Sequence, residues 1–101
     1  MENIYVLVKF KLNDGIDISE WKQMSAEIDA DIKWADGLHF RDSWVDENDN
    51  IYCILKWETE DQQKTFRAKM DKTFEENPGM MKEFGRICNM ETMTMDKIHL
   101  L

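Results

Sequence analysis

The stretch Leu38-His39-Phe40-Arg41-Asp42-Ser43-Trp44-Val45-Asp46-Glu47-Asn48-Asp49-Asn50-Ile51-Tyr52-Cys53-Ile54-Leu55-Lys56-Trp57 decides the fold. Its two ends are rich in aromatic and β-branched residues, and residues 46–50 between them are wholly polar. Such a run folds back on itself as an antiparallel hairpin. Setting Asp46 opposite Ile51 pairs Trp44 with Cys53, Asp42 with Leu55 and Phe40 with Trp57. Leu38, Phe40, Asp42 and Trp44 then share one largely apolar face with those partners, and His39, Arg41, Ser43 and Val45 take the other. Residues 51–55 are nearly all apolar, as expected of a central strand, whereas Arg41, Asp42 and Asp46 mark the first arm as an edge.

Working outward from the hairpin, a helical pattern precedes it and another follows. Upstream, Ile18, Trp21, Met24, Ile28, Ile32 and Ala35 recur at spacings of three and four, with Asp17 as N-cap, Glu20 as its capping partner and Gly37 as the stop. Further upstream, Ile4, Val6, Val8, Phe10 and Leu12 alternate with Tyr5, Leu7, Lys9 and Lys11, which predicts a strand ending at the Asn13-Asp14-Gly15 turn. Downstream, Thr59 and Gln62 repeat the capping signature and open a helix bearing Phe66, Met70 and Phe74. Pro78 breaks that helix. A short helical turn carrying Met80, Met81, Phe84, Ile87 and Cys88 follows, and Thr92 to Leu101 closes the chain as a strand.

The order strand, helix, strand, strand, helix, strand is that of a ferredoxin-like α+β fold, βαββαβ, expected as a single domain over residues 1–101. Right-handed crossovers place strands one and three in the centre of a four-stranded antiparallel sheet of order 4-1-3-2. The helices suffice to cover one face. Tyr5, Leu7, Tyr52 and Ile54 would leave an apolar patch on the other, and a homodimer through this open sheet face is the economical cover.

Composition narrows the partners. The chain has 101 residues and a net charge of −8, from 21 acidic against 13 basic residues, so it would repel a nucleic-acid backbone. No stretch has the roughly 20 apolar residues of a membrane span, and the first residues lack the pattern of a secretory leader. Cys53 and Cys88 show no ligand spacing and are expected as free thiols. A cytoplasmic location follows as the expectation. Asp46 to Asn50 superficially resembles a calcium loop, but its sixth position is Ile51 and its twelfth is Trp57. No metal site, nucleophile elbow or phosphate-cradling glycine loop is expected.

Gly37-Leu38-His39-Phe40 and the run Tyr52-Cys53-Ile54-Leu55-Lys56-Trp57-Glu58, with a polar helix starting at once, resemble the dimeric α+β barrel superfamily and its antibiotic biosynthesis monooxygenase-like domains. The resemblance implies a pocket between sheet and helices. Some relatives there oxidise polycyclic phenols or quinols without metal or flavin, and others degrade haem. The haem-degrading branch relies on an Asn in strand one and on a Trp and a His in the helix after strand three. Here strand one has no Asn, the corresponding helix offers Phe66, and Thr59 to Asn77 contain no His.

A cofactor-free oxygenase needs an apolar cavity and groups that orient a phenol and stabilise its anion. The catalytic candidates are His39, Arg41 and Trp57. Trp44, Phe66, Met70 and His99 are candidates for ligand binding, with no cofactor implied. The competing reading of the aromatic and Met positions is plain core packing, and of the eight Met residues, gap filling. Two functions remain open: a monooxygenase-like protein acting on a small aromatic or quinol compound, or a non-catalytic dimeric barrel that binds a small apolar ligand or a partner protein.

Overall fold

The computed structural model describes residues 3–101. Its elements run β1 (Ile4–Leu12), α1 (Ile18–Ile32), β2 (Leu38–Val45), β3 (Asn50–Trp57), α2 (Glu60–Glu76), α3 (Pro78–Ile87) and β4 (Cys88–His99). The strands form one four-stranded antiparallel sheet in the order β2-β3-β1-β4, as the sequence predicts. This is the ferredoxin-like α+β architecture, with an additional helix between α2 and β4.

Helix starts follow local chemistry. The Asp17 carboxylate accepts from Ser19 N at 3.1 Å and also bonds the Ser19 hydroxyl, which caps α1. Glu20 does not reach back to complete a capping box. It meets Arg86 Nη2 at 3.1 Å instead and ties α1 to α3. At α2 the Thr59 hydroxyl makes both contacts itself: Oγ1 accepts from Gln62 N at 3.2 Å and donates to Gln62 Oε1 at 3.1 Å. Pro78, with no amide proton to lose, sits in the first turn of α3.

The even-numbered residues of β1 and the odd-numbered residues of β3 face the helices. One cluster joins Phe10, Ile51 and Cys53 of the sheet to Trp21 of α1 and to Ile87 and Cys88 at the α3–β4 junction. A second joins Ile4, Val6 and Trp57 to Ala35, with Phe66 of α2 packed on it. Asn13 stitches the turn after β1 to the end of α3, its Nδ2 donating to the carbonyls of Gly85 at 2.8 Å and Arg86 at 2.9 Å.

Two further expectations need correction. The hairpin register is displaced by one residue: Val45 faces Ile51, Trp44 faces Tyr52, Ser43 faces Cys53 and Arg41 faces Leu55. The cause lies in the loop, where Asp46 pairs with Asn50 (N to O, 3.0 Å) rather than with Ile51, and Asp49 adopts a left-handed φ of 63°. A type I turn followed by such a residue closes a three-residue loop. A bulge at His39 then shifts the pairing by one more residue, so that Leu38 rather than Phe40 lies opposite Trp57. Phe40, Asp42 and Trp44 consequently share the open face with Tyr52, whereas Arg41, Ser43 and Val45 turn toward the helices. The last strand also starts earlier than Thr92, because Cys88 leaves α3 and pairs with Leu12.

On the open face Tyr5, Leu7, Tyr52 and Ile54 are half-buried, flanked by the more exposed Phe40, Trp44 and Ile98. Lysines bridge the rings, with Lys9 Nζ 5.5 Å from the Tyr52 centroid and Lys56 Nζ 5.8 Å from that of Tyr5. Among the described residues no helix is long and apolar enough to cross a membrane.

Candidate functional site

The register of β2 builds a cleft between α1 and the free edge of the sheet. A helix-facing side chain on an edge strand has no neighbour strand on its outer side, so it reaches across to the helix. Arg41 does so, and its side chain is only 6% exposed. Its Nη1 donates to Asp29 Oδ1 at 2.8 Å and to Ser25 Oγ at 2.9 Å, and its Nη2 lies 3.7 Å from Cys53 Sγ. The guanidinium carbon stands 5.9 Å from the Trp21 ring centroid. Trp21 Nε1 in turn donates to Ser43 Oγ at 3.0 Å, and Ser43 Oγ lies 3.7 Å from Cys53 Sγ. A buried cation survives because the Asp29 carboxylate and the Ser25 hydroxyl satisfy it.

Beside this network lies a space of about 310 Å³, walled by Ile18, Trp21, Ser25, Arg41, Trp44 and Val45 among others. That is the lower end of the range for small-molecule sites. Its walls combine two indoles and aliphatic side chains with the Arg41 guanidinium and its Asp29 partner, and with Lys22 and Asp42, which suits a flat aromatic body whose polar substituent meets a fixed guanidinium. Cys53 offers no nucleophile, because burial pushes its thiol above the ordinary range more strongly than Arg41 and Ser43 pull it down. Among the described residues no three His, Cys, Asp or Glu side chains group as metal ligands.

The structure thus brings together two of the sequence candidates, Arg41 and Trp44, and separates them from the rest. Trp44, 59% exposed, reaches the cleft rim from the open face. Trp57 is 1% exposed inside the second core cluster, its ring 4.9 Å from that of Phe66. Phe66 also lines a separate space of about 320 Å³ with Trp34, Ala35, Asp36 and Lys69, between the end of α1 and the start of α2. Met70, half-buried, follows Phe66 one turn later on α2. His39 occupies the β2 bulge and is exposed. His99, 57% exposed, stands 3.9 Å from Glu60 at the opposite edge of the sheet.

Sequence reasoning missed Ser25 and Asp29 as partners of Arg41 and Ser43 as the acceptor of the Trp21 indole, and took Trp21 only as a core position. The usable signal was Arg41 itself, a cation one residue from a stripe of apolar positions, but using it required the displaced register.

No family model matches the chain. No curated protein matches it either. Solved structures do. A protein from Bordetella bronchiseptica named "putative antibiotic biosynthesis monooxygenase" superposes with a TM-score of 0.76 at 15% identity, over 100% of this chain and 99% of its own. A dimeric ferredoxin-like protein from an uncultured marine organism gives 0.76 at 9% identity, covering 100% and 97%. A protein of unknown function from Nitrosomonas europaea gives 0.69 at 9% identity, covering 100% and 91%. At such identities the likeness is one of fold.

Proposed function

We propose that this chain, as one domain, pairs through its open sheet face into a two-fold homodimer and oxidises a small phenol or quinol-type aromatic compound held in the α1–β2 cleft, using dioxygen without metal or flavin. The observation that carries this reading is Arg41, fixed between Trp21, Ser25 and Asp29 beside an aromatic-walled space. A substrate that forms an enolate or phenolate is itself the electron source. The Arg41 guanidinium, held in place before the ligand arrives, stabilises that anion without reorganising. For a ring methylene flanked by aromatic rings, one oxygen atom becomes the new carbonyl and the other leaves as water with the two methylene hydrogens. Fold likeness to a protein described as an antibiotic biosynthesis monooxygenase supports the chemistry, and likeness to one described as dimeric supports the assembly.

The second reading, binding without turnover, is favoured by a different observation: both imidazoles lie outside the cleft, so neither His39 nor His99 stands ready to take the substrate proton. Oxygen uptake with a panel of anthrones and hydroquinones separates the two. Turnover that Arg41→Gln abolishes supports oxidation. A flat oxygen trace with thermal stabilisation by the same compounds supports the binding reading. The absence of both turnover and stabilisation defeats the cleft as a site, and a monomer in sedimentation at micromolar concentration defeats the assembly.

A further inference from the structure

The open face of the sheet carries charge as well as apolar side chains, and the register fixes where each charge stands. Asp42 of β2 faces Ile54, Ile54 faces Leu7, and Leu7 faces Asp96 of β4, so one row crosses all four strands with an aspartate at each end. On the inner strands Lys9 lies opposite Tyr52 and Lys56 opposite Tyr5, one lysine on either side of that row. Acidic groups therefore mark the two ends of the face along the row, and cationic groups its two ends along the strands. The arms of this cross match: three strand spacings hold the aspartates about 14 Å apart, and the lysines, displaced from the row in opposite senses on neighbouring strands, are also about 14 Å apart.

Among the described residues none of these four charges has an ion-pair partner. Asp42, Asp96 and Lys9 are exposed and Lys56 is half-buried, and the two lysines lean on the tyrosine rings of their own sheet. A second copy laid on this face by a two-fold axis can meet it in two ways, because packed sheets run nearly aligned or nearly crossed. With the strands aligned, the acidic row lies on its own copy and each aspartate stands over an aspartate. With the strands crossed at about 90°, the acidic row lies along the partner's strands, each aspartate reaches a lysine, and Leu7 and Ile54 meet at the centre. Like charges brought together across an interface are penalised, and opposite ones fix its orientation.

We infer that the open face takes a second copy of this chain with the strands crossed, Asp42 and Asp96 each pairing with a lysine of the other copy around an apolar centre of Leu7 and Ile54. This pairing rests on the homodimer proposed above and adds to it the orientation of the two sheets and the residues that set it. The test is the dimer dissociation constant of the full chain, measured by sedimentation equilibrium over a dilution series.

Asp42→Lys is expected to weaken the dimer about tenfold, because a two-fold axis makes each reversed contact occur twice, and Asp42→Lys with Asp96→Lys about a hundredfold. Adding Lys9→Glu and Lys56→Glu to that double variant exchanges all four charges and is expected to restore the wild-type constant. Aligned strands give the opposite sign: Asp42→Lys would leave the dimer unchanged or tighten it, since the contact it alters is one aspartate over another. That result, or a four-site exchange no tighter than the double variant, would overturn the crossed arrangement and leave the homodimer standing. A wild-type chain that stays monomeric at micromolar concentration would overturn the homodimer and the arrangement together. Asp42 is exposed on an edge strand, so Asp42→Lys folds and decides the sign even where the four-site exchange does not fold.

Discussion

Two tryptophans between the sheet and the helices, Trp57 of β3 and Trp21 of α1, are buried to nearly the same degree and sit in different surroundings. Trp57 lies among Ile4, Val6, Ala35 and Phe66, an apolar cluster that the start of α2 seals. Trp21 packs edge-on against Phe10 at 5.0 Å, but its other neighbours are the Arg41 guanidinium and the Ser43 hydroxyl, and an open cleft begins beside it. Burial alone does not distinguish the two. What distinguishes them is whether a charged or polar group shares the buried space, because a core of hydrocarbon gains most by excluding everything else. The Trp57 end is spent on stability, and the Trp21 end gives up some stability for a fixed cation next to an accessible aromatic wall.

The sharpest break in this contrast is Trp57→Ala, expected to destabilise the fold by about 4 kcal/mol in urea unfolding, as for other large-to-small changes in sealed cores. Gly37→Ala comes next. Gly37 holds a φ of +83°, and an added Cβ would stand 3.0 Å from Gln62 Cβ and would collide with its Cδ and Oε1. Because the α2 capping residue must move to admit it, a loss of about 2 kcal/mol is expected by the same measurement. At the other end, Arg41→Met is expected to change stability by only about 1 kcal/mol, since Asp29 is half exposed and rehydrates when its partner goes. The same variant should abolish stabilisation by aromatic ligands. If Arg41→Met costs as much as Trp57→Ala, the division between the two ends is wrong.

The smallest effect concerns the loop that sets the register of the Arg41 strand. Asp46 accepts from Asn50 N at 2.9 Å, Asn50 Nδ2 at 2.9 Å, Asn48 N at 2.8 Å and the Tyr52 hydroxyl at 3.0 Å. These bonds, those from Asn50 foremost, hold its carboxyl at about 2, against an ordinary value of 3.8. A carboxyl depressed in the folded state adds stability above its unfolded pKa, and that contribution fades as the pH falls from about 4 toward 2. The wild-type protein should therefore lose more of its urea midpoint across that window than Asp46→Ala does. Parallel curves would show that the loop does not secure the register.

The topology was legible because each strand advertises itself by alternation and each helix by spacing and caps; the centre-edge distinction followed from where the charges fall. The register was not legible. A three-residue loop of this kind usually announces itself by a glycine in the left-handed position, and here Asp49 takes that conformation. The bulge at His39 was hidden as well, since Leu38 and Phe40 are both apolar and suit either face. That single displacement decided the site: it turned Arg41 and Ser43 inward and Phe40 and Trp44 outward. Ser25 and Asp29 lie 16 and 12 residues from Arg41, and no local pattern announces a meeting across a helix and an edge strand.

The two cysteines sit in the sheet centre and at the α3–β4 junction, both sealed from solvent. Burial pushes the Cys88 thiol up to about 12, with the neighbouring Cys53 adding to the effect. A disulfide-exchange reagent at neutral pH consequently finds no thiolate to attack while the molecule is closed. The labelling rate of these sulfurs is a clock for how often the middle of the protein comes apart, and any ligand that grips α1 to β2 should slow it.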